Sequence, residues 1–340
     1  MTKILIIYTG GTIGMVNDAK TGTLIPFDFE QIQKNVPELA RLDYQLTVHS
    51  FHPILDSSNM NPSVWIALAE LIKDKYDFFD GFVILHGSDT MSFTASALSF
   101  MLQNLSKPVV LTGSQLPIGE IRTDAKENLI TALEIAATKK DGKAMVPEVC
   151  IYFDYQLFRG NRSLKYNSEK FEAFQSPNYP ILAEAGVHLT FFPNYILSHP
   201  DQPFQIQTKL NSNIGVLKMY PGISQQAVMA ITQSDVDAIV LEAFGSGNTP
   251  TATWFIHCLE QAIQQNKIIV DISQCKGGSV QLGLYETSRE LQKMGVVSGY
   301  DMTFESVVTK LMYLMGQGIK ASEVKKLLET AIVGELTLPN

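Results

Sequence analysis

The chain has 340 residues, and its 26 Lys and Arg against 34 Asp and Glu give a formal net charge of −8. It is 45% hydrophobic and only 18% charged, which excludes a disordered chain, because disordered chains lack apolar residues. The acidic balance also argues against nucleic-acid binding as the main role, since phosphate contacts need a basic surface. At roughly 150 residues per domain, the length predicts two domains or one large one.

The sequence predicts no membrane contact and no disulfide framework. One of the longest uncharged stretches, residues 90 to 106, is shorter than the roughly 18 residues of a membrane span and contains Ser, Thr, Gln and Asn. The first apolar run, residues 4 to 8, is too short for a signal peptide. The three cysteines are widely spaced and odd in number, so we expect neither disulfides nor a Cys-x-x-Cys metal site, and a cytoplasmic location.

In the first half of the chain, short β-branched runs alternate with longer amphipathic stretches. The runs predict strands at Ile4–Tyr8, Gln45–Phe51, Gly81–Leu85, Pro108–Thr112 and Val146–Phe153. The amphipathic stretches predict helices at Asn61–Lys75, Thr90–Leu105 and Asp124–Thr138. Near-continuous apolar strands separated by helices are typical of a mostly parallel sheet with helices on both faces.

The composition changes over residues 193 to 213, where neither strand nor helix periodicity is present, and we interpret this segment as a linker. Alternation then resumes on a smaller scale. The predicted strands are Ile214–Met219, Ala238–Leu241 and Lys267–Ile272, and the predicted helices are Gln225–Ile231, Thr249–Gln265, Tyr285–Met294, Thr303–Met315 and Ser322–Thr330. The prediction is thus an α/β protein with a larger N-terminal domain (1–192), the linker, and a smaller C-terminal α/β domain (214–340).

Four polar or glycine-rich loops follow the predicted strands of the first domain. They are Thr9-Gly10-Gly11-Thr12-Ile13-Gly14, Asp56-Ser57-Ser58-Asn59, His86-Gly87-Ser88-Asp89-Thr90 and Thr112-Gly113-Ser114-Gln115. Ligands of open parallel sheets bind beyond the carboxyl ends of the strands, where such loops converge. The sequence therefore predicts a polar site on one rim of the sheet.

Several familiar motifs are missing from the sequence. It has no G-x-G-x-x-G, P-loop, G-x-S-x-G or H-E-x-x-H pattern, so dinucleotide, phosphate, serine-hydrolase and metal chemistry are unsupported. What remains is a threonine between glycines. Its hydroxyl is a weak nucleophile that requires a base, and the glycines let backbone N–H groups approach an oxyanion. The alternative is that Gly10, Gly11 and Gly14 only form a tight turn around Thr12.

Seven motifs occur in order along the chain: Thr9–Gly14, Asp56–Ser58, Gly81–Met91, Thr112–Pro117, Arg159–Arg162 with Lys165, Gly245–Asn248 and Asp301–Thr303. Together they resemble the L-asparaginase family, most closely its cytoplasmic bacterial type I branch. The resemblance covers nearly the whole chain. It implies a homo-oligomer, a dimer or a tetramer, and a small-molecule substrate, L-asparagine. It implies neither a metal nor a cofactor.

The resemblance also implies roles for individual residues. Thr12 resembles the nucleophile, and Ser88, Asp89 and Lys165 resemble a hydrogen-bonded series that moves a proton. The residues that resemble substrate-binding positions are Gly11, Asp56, Ser57, Ser58, Gly87, Ser114 and Asn248. Among them Asn248 resembles a residue that reaches the site of a neighbouring subunit.

The sequence departs from the family pattern at two positions. Serine stands at position 88, where the family commonly has threonine, and residues 13 to 27 lack the tyrosine that often contacts the nucleophile. Tyr313 is the tyrosine that we expect to approach Thr12 instead, although its spacing also fits a core position. The segment Met15 to Pro26 is then expected to serve as a lid with flexible points at Gly14 and Gly22.

Taken alone, several of these segments have simpler interpretations. Ser88-Asp89 would be a helix N-cap, Asp56 to Asn59 a turn and cap, and Arg159 to Lys165 a solvated basic loop. His86 is expected to be a packed, hydrogen-bonded histidine.

The function that we predict is hydrolysis of asparagine to aspartate and ammonia. The alternatives are a glutaminase, an ammonia-releasing subunit of a tRNA-dependent amidotransferase, or a binding module that captures an amino acid without turnover.

Overall fold

A computed structural model describes residues 1–17, 24–26 and 36–338. The chain forms two compact units, Met1–Thr208 and Lys209–Asn340, and the division falls inside the segment predicted as a linker. No helix in the described ranges has the length and apolarity needed to cross a membrane.

The first unit is built around an eight-stranded sheet. Its strands, with the short ladders around it, are β1 (Thr2–Gly10), β2 (Met15–Asn17), β3 (Leu24–Pro26), β4 (Tyr44–Leu55), β5 (Gly81–Leu85), β6 (Leu102–Gln103), β7 (Val109–Thr112), β8 (Lys139–Lys140), β9 (Lys143–Ala144), β10 (Val149–Phe153), β11 (Gln156–Arg159), β12 (Leu164–Lys165), β13 (Phe174–Gln175), β14 (Ala183–Ala185), β15 (Leu189–Phe191) and β16 (Gln205–Ile206). Its α-helices are α1 (Pro62–Lys75), α2 (Met91–Met101) and α3 (Ala125–Ala137).

The large sheet has the strand order β15-β14-β11-β10-β7-β5-β1-β4. From β10 to β4 all neighbours are parallel, whereas β11, β14 and β15 add an antiparallel edge. The predicted fold class is confirmed, but the antiparallel edge was not predicted. Its strands have three or four residues, too few to show a strand period.

Both faces of the central strands are buried, as their apolar runs predict. All five residues of β5 are buried. Val83 and Leu85 belong to a core cluster with Leu129 and Leu133 of α3. The alternate residues, such as Phe82 and Ile84, are equally buried on the other face, and burial on both faces is what keeps a parallel strand apolar throughout.

Part of the predicted linker packs on the first unit. Gln205 and Ile206 pair with β6, and the ring of Phe204 stacks on Tyr76 with 3.7 Å between centroids. Two residues of pairing and one aromatic contact leave no periodic pattern, which explains why the sequence did not reveal them.

The second unit contains a four-stranded parallel sheet with the order β17-β18-β19-β20. Its strands are β17 (Ile214–Lys218), β18 (Ala238–Ala243), β19 (Ile268–Ser273) and β20 (Val297–Ser298), and its helices are α4 (Gln225–Thr232), α5 (Thr253–Gln264), α6 (Glu286–Met294), α7 (Phe304–Gly316) and α8 (Ala321–Leu328). A core that includes Leu241, Phe255, Leu259 and Ile269 lies between this sheet and its helices.

Candidate active site

Four loops lie side by side at the carboxyl edge of the large sheet. They follow β1, β4, β5 and β7, which are adjacent in the order β4-β1-β5-β7 and mutually parallel. We call them loop 1 (residues 11–14), loop 2 (residues 56–59), loop 3 (residues 86–90) and loop 4 (residues 113–117). The parallel order places all four on one rim, where side chains from distant parts of the sequence meet.

Glycines bring loop 1 close to its neighbours. Gly10 and Gly11 have φ of 139° and 89°, a region that favours glycine. A Cβ on Gly10 would lie 1.9 Å from the carbonyl oxygen of Leu55, and a Cβ on Gly11 would lie 2.4 Å from the backbone nitrogen of Gly87. Thr12 follows directly and begins a 3₁₀ turn, Thr12–Gly14, in a half-buried position. Backbone contact between loops 1 and 3 therefore sets the place of Thr12.

Loop 3 is also fixed against loop 2. A Cβ on Gly87 would lie 2.5 Å from Oγ of Ser57, so the two loops touch. The hydroxyl of Thr90 donates to the carbonyl oxygen of Ser57 at 2.7 Å, and Ser57 is buried. These contacts place Gly11, Ser57 and Gly87 together.

Lys165 joins Ser88 and Asp89 of loop 3. Its Nζ donates to Oγ of Ser88 at 2.8 Å and to Oδ1 of Asp89 at 2.6 Å. The Asp89 side chain is 66% exposed and the Lys165 side chain 17% exposed, so the carboxylate faces solvent while the lysine is mostly covered. Oγ of Ser88 also points toward Oε1 of Gln115 in loop 4, at a long 3.5 Å. A hydroxyl, an ammonium and a carboxylate are thus connected in series.

Asp56 caps the short turn of loop 2. Its Oδ1 accepts hydrogen bonds from both the backbone nitrogen and Oγ of Ser58, each at 2.8 Å. The backbone N–H of Ser58, followed by its hydroxyl, lowers the pKa of the Asp56 carboxyl, because hydrogen bonds to a carboxylate favour the charged form. The simpler interpretation as a turn and cap is therefore confirmed, and the capping carboxylate is also exposed at the rim.

Loop 4 is fixed by hydrogen bonds to two residues at the start of helix α3. Asn128 is buried and donates to the carbonyl oxygen of Gly113 at 3.0 Å. Asp124 accepts from the backbone nitrogens of Gln115, at 2.9 Å, and of Leu116, at 3.2 Å. Ser114 is buried, and its own hydroxyl donates to the carbonyl oxygen of Leu116 at 2.6 Å.

The supporting role of Asp124 and Asn128 was not predicted from the sequence, where Asp124 is only the first residue of a predicted helix. The available signal was the spacing of four residues, which places both polar side chains on one face of α3 beside a glycine-rich loop.

Comparison with known proteins gives the family. A model described as the N-terminal part of asparaginase matches residues 3–196, and one described as the glutaminase/asparaginase C-terminal domain matches residues 213–328. The chain belongs to the asparaginase family. It is therefore an enzyme of an amidohydrolase family.

The similar proteins match this chain over nearly its whole length. It is 40% identical to "L-asparaginase 1" of Escherichia coli (strain K12), over 98% of each protein. A crystal structure of L-asparaginase I from Vibrio cholerae is also 40% identical, with a TM-score of 0.91 and 99% of each chain covered. A "60 kDa lysophospholipase" of Mus musculus is 39% identical over 99% of this chain and 63% of its own length.

His86 is buried within the asparaginase fold, and the prediction of a packed histidine is confirmed. Its Nδ1 lies 2.6 Å from the carbonyl oxygen of Gly87, and its Nε2 lies 2.9 Å from Oγ1 of Thr94. Burial lowers the pKa of His86 to about 4, with the hydrogen bond to Gly87 acting in the opposite direction. The ring is therefore neutral near pH 7, and its two contacts tie loop 3 to helix α2.

The interpretation of Arg159 to Lys165 as a solvated basic loop is wrong. Arg159 and Arg162 are 3% and 2% exposed. Nε of Arg159 lies 2.7 Å from Oε2 of the buried Glu148, and both guanidinium groups lie over the ring of Tyr179, at 4.4 and 5.0 Å. A buried arginine needs a carboxylate or an aromatic face as a partner. The prediction failed because neither partner, Glu148 or Tyr179, is near these arginines in the sequence.

The interpretation of Ser88-Asp89 as a helix cap is also wrong. Helix α2 begins after Thr90, and neither side chain of the pair caps it; Asp89 instead contacts Lys165. The cap hypothesis considered only local partners, whereas Lys165 is 76 residues away along the chain.

Two predicted site residues lie in the second unit. Asn248 closes a tight turn after β18, where its backbone nitrogen donates to the carbonyl oxygen of Phe244 at 2.8 Å. Tyr313 lies on α7 and is 6% exposed. Their roles at the site stay predictions.

The predicted lid is only partly described. Met15–Asn17 and Leu24–Pro26 form the antiparallel ladder of β2 and β3, whereas residues 18–23, including Gly22, lie outside the described residues. The lid therefore stays a prediction, but Gly14, expected as one of its flexible points, is buried and its carbonyl oxygen accepts a hydrogen bond from Tyr8. Within the described part of the chain, no group of three or more His, Cys, Asp or Glu side chains is arranged to hold a metal ion.

Proposed function

We propose that this enzyme hydrolyses L-asparagine to aspartate and ammonia, with Thr12 as the nucleophile. The observation that carries the proposal is the contact between loops 1 and 3. Gly11 meets Gly87 backbone to backbone, which brings Thr12 close to the series formed by Ser88, Asp89 and Lys165. A weak hydroxyl nucleophile requires such a neighbouring proton acceptor.

Loops 2 and 3 supply groups for the substrate backbone. The exposed Asp56 carboxylate, whose pKa is lowered by Ser58, remains negative and suits the α-ammonium of asparagine. The buried Ser57 and the backbone at Gly87 are suited to bind the α-carboxylate, while the Ser58 hydroxyl donates to Asp56 and holds that carboxylate in place. Ser114 offers its backbone carbonyl to the side-chain amide nitrogen.

The reaction that we propose has two displacements. Oγ1 of Thr12 attacks the side-chain amide carbon, and its proton is relayed through Ser88 and Lys165 to the Asp89 carboxylate, the final acceptor of the series. Backbone N–H groups around Gly11 hold the oxyanion. The C–N bond then breaks, and the nitrogen takes the proton and leaves as ammonia. Water attacks the resulting ester, which releases aspartate and returns a proton to Thr12.

Residues of the second unit complete this proposal. Asn248 is proposed to contact substrate from a neighbouring subunit of a homo-oligomer, and Tyr313 to hydrogen-bond Thr12 in the occupied site. Tyr313→Phe is then expected to lower kcat at least about tenfold with little change in stability. A cytoplasmic location is proposed as well, and the three free thiols, at Cys150, Cys258 and Cys275, are compatible with it.

The experiment that tests the substrate is ammonia release from asparagine and from glutamine under the same conditions. We expect turnover of asparagine with a higher kcat/KM than that of glutamine. Higher kcat/KM for glutamine would instead favour a glutaminase or an ammonia-releasing subunit. Binding of asparagine without ammonia release would leave only the binding-module hypothesis.

A further inference from the structure

Tyr8 reaches loop 1 from the core of the large sheet. It lies near the end of β1, is 2% exposed and belongs to the same core cluster as Ile13. Its hydroxyl donates to the carbonyl oxygen of Gly14 at 2.9 Å. The side chain therefore points into the interior, as its strand position predicts, and also bonds the far end of the turn that begins at Thr12.

Gly14 is shaped to fit this tyrosine. Its φ is not in the positive region that favours glycine, so its backbone conformation does not require a glycine. A Cβ there, however, would lie 2.2 to 2.4 Å from Cζ, Cε2 and the hydroxyl of Tyr8. The absence of a side chain at position 14 is what allows the turn to lie directly on the phenol.

The Thr12 turn is consequently held at both ends. At one end Gly11 rests on Gly87, and at the other Gly14 rests on Tyr8. The turn has its own bond from the backbone nitrogen of Gly14 to the carbonyl oxygen of Gly11, at 3.2 Å. Only two residues, Thr12 and Ile13, lie between these two supports, so a shift at either support moves Thr12.

We propose that Tyr8 is a positioning residue for the nucleophile. Its hydroxyl and ring hold Gly14, and thereby set the direction of the Thr12 hydroxyl. The inference rests on the proposed function, because it assumes that Thr12 attacks the substrate. A positioning role of this kind matters because a displacement of about 1 Å at a reacting atom costs on the order of 10²-fold in rate.

Tyr8 does not act by exchanging its proton. Burial raises the pKa of its phenol to about 12, and the proton is directed at a carbonyl oxygen. The hydroxyl therefore stays protonated over the working range of the enzyme, and removing it is expected to leave the shape of the pH–rate profile unchanged.

Tyr8→Phe tests the proposal, with Tyr76→Phe as a matched control. Tyr76 is 8% exposed, and its hydroxyl is hydrogen-bonded to Ser106 at the opposite, amino edge of the sheet. Both variants remove one hydroxyl from a buried phenol. We expect Tyr8→Phe to lower kcat at least about tenfold and to change KM less than about threefold, because loops 2 and 3 bind the substrate. Tyr76→Phe is expected to keep kcat within about twofold, whatever its effect on thermal stability.

A second measurement separates a misplaced nucleophile from a partly folded sample. A diazoketone analogue of asparagine, which alkylates the nucleophile, should label Tyr8→Phe to the same final extent as the wild type but more slowly. Gly14→Ala, which pushes the turn off the phenol, should also lower kcat. The double variant should be no worse than the poorer single one, because both act on the same contact.

Three outcomes would overturn the positioning role, and a fourth would overturn the proposed function. An unchanged kcat in folded Tyr8→Phe, or additive losses in the double variant, would overturn the positioning role and leave the proposed function intact. A loss of kcat equal to that of Tyr76→Phe would show a stability effect only and also overturn it. If Thr12→Val remains active, the proposed function itself fails, which is a separate result.

Discussion

At the level of single residues, Lys165 is the most informative contact, because its ammonium binds a hydroxyl and a carboxylate at once. Asp89→Asn and Lys165→Met are each expected to lower kcat by about 10²- to 10⁴-fold, the usual contribution of a proton-transfer group. If the series acts as a unit, the double variant should be little worse than the poorer single one. Steady-state kinetics of the three variants measure this, and fully additive losses would show that the residues act separately.

Another lysine–carboxylate pair provides the control for these variants. Lys139 contacts Asp80 at 2.7 Å on the surface, with side chains 36% and 33% exposed. Lys139→Met removes the same charge from a partly exposed ion pair away from the four loops. It is expected to leave kcat within about twofold of the wild type, because such pairs contribute little.

Single residues also show what the sequence could predict. The four loops were predicted from their positions after parallel strands and from motifs, because loops that follow parallel strands share a rim. The roles of Thr12, Asp56 and Ser88 stay predictions. Tyr8 was assigned only to the sheet, since nothing local indicates that its hydroxyl reaches a turn six residues later. The burial of Arg162 was likewise invisible, because Tyr179 lies seventeen residues away along the chain.

At the level of elements, loop 1 depends on glycine for two separable reasons. Gly11 combines a positive φ of 89° with a contact to the Gly87 backbone, whereas Gly222 has a φ of 87° and open space around its Cβ position. Alanine at either position incurs backbone strain, on the order of 1 to 3 kcal/mol, and the ψ of 170° at Gly11 lies in a region almost confined to glycine. Only Gly11→Ala also forces loops 1 and 3 apart.

A comparison of Gly11→Ala with Gly222→Ala therefore distinguishes the effect of backbone strain from the effect of displacing loop 1. We expect Gly11→Ala to lower kcat by about 10²-fold or more, as befits a displaced nucleophile. Gly222→Ala is expected to lose only a little stability and to keep its turnover. Ammonia release and thermal unfolding of the two variants, measured together, check this; similar kcat values in both would mean that the contact is not needed.

The second sheet contains a buried aspartate, Asp271, whose pKa is far from that of an exposed carboxyl. Asp271 of β19 is fully buried, and within the described residues neither of its carboxylate oxygens has a hydrogen-bond partner. Burial raises its pKa from 3.8 to about 8. The unfolded chain loses this proton near pH 4, whereas the folded chain keeps it until about pH 8. Stability is therefore highest at low pH with respect to this group, and falls as pH rises from about 4 to 8.

Asp271→Asn removes this dependence while keeping the shape of the side chain. At pH 8 the free energy of unfolding of the variant is expected to exceed that of the wild type by several kcal/mol. The raised pKa of Asp271 in the folded wild type corresponds to a free energy of that order. At pH 4 the two should be nearly equal. Denaturant unfolding at both pH values measures the difference, and parallel pH dependence in the two proteins would show that Asp271 is charged or otherwise paired at neutral pH.

At the level of the whole molecule, the periodic elements were predictable and the irregular ones were not. The strands Gly81–Leu85 and Ile268–Ser273 and the helix Phe304–Gly316 were found within a few residues of their ends, because their apolar patterns are strong. The hairpin of β14 and β15 and the pairing of β16 were not found, since two or three residues show no period.

A site shared between subunits makes a clear prediction for the assembled molecule. If Asn248 acts in a neighbour's site, Asn248→Ala should weaken asparagine binding. A mixture of Thr12→Ala and Asn248→Ala subunits should then recover part of the activity through hybrid sites that carry both native residues. The measurement is ammonia release before and after subunit exchange. If exchange is demonstrated by mass and no activity returns, each site is built within one chain.

The nucleophile is the claim on which the rest depends. Thr12→Val preserves the shape of the side chain and removes only the hydroxyl, while Thr12→Ser keeps the hydroxyl and removes only a methyl group. We predict that kcat for asparagine falls by about 10³-fold or more in Thr12→Val and stays measurable in Thr12→Ser, with both variants folded. A kcat for Thr12→Val within tenfold of the wild type would contradict the account.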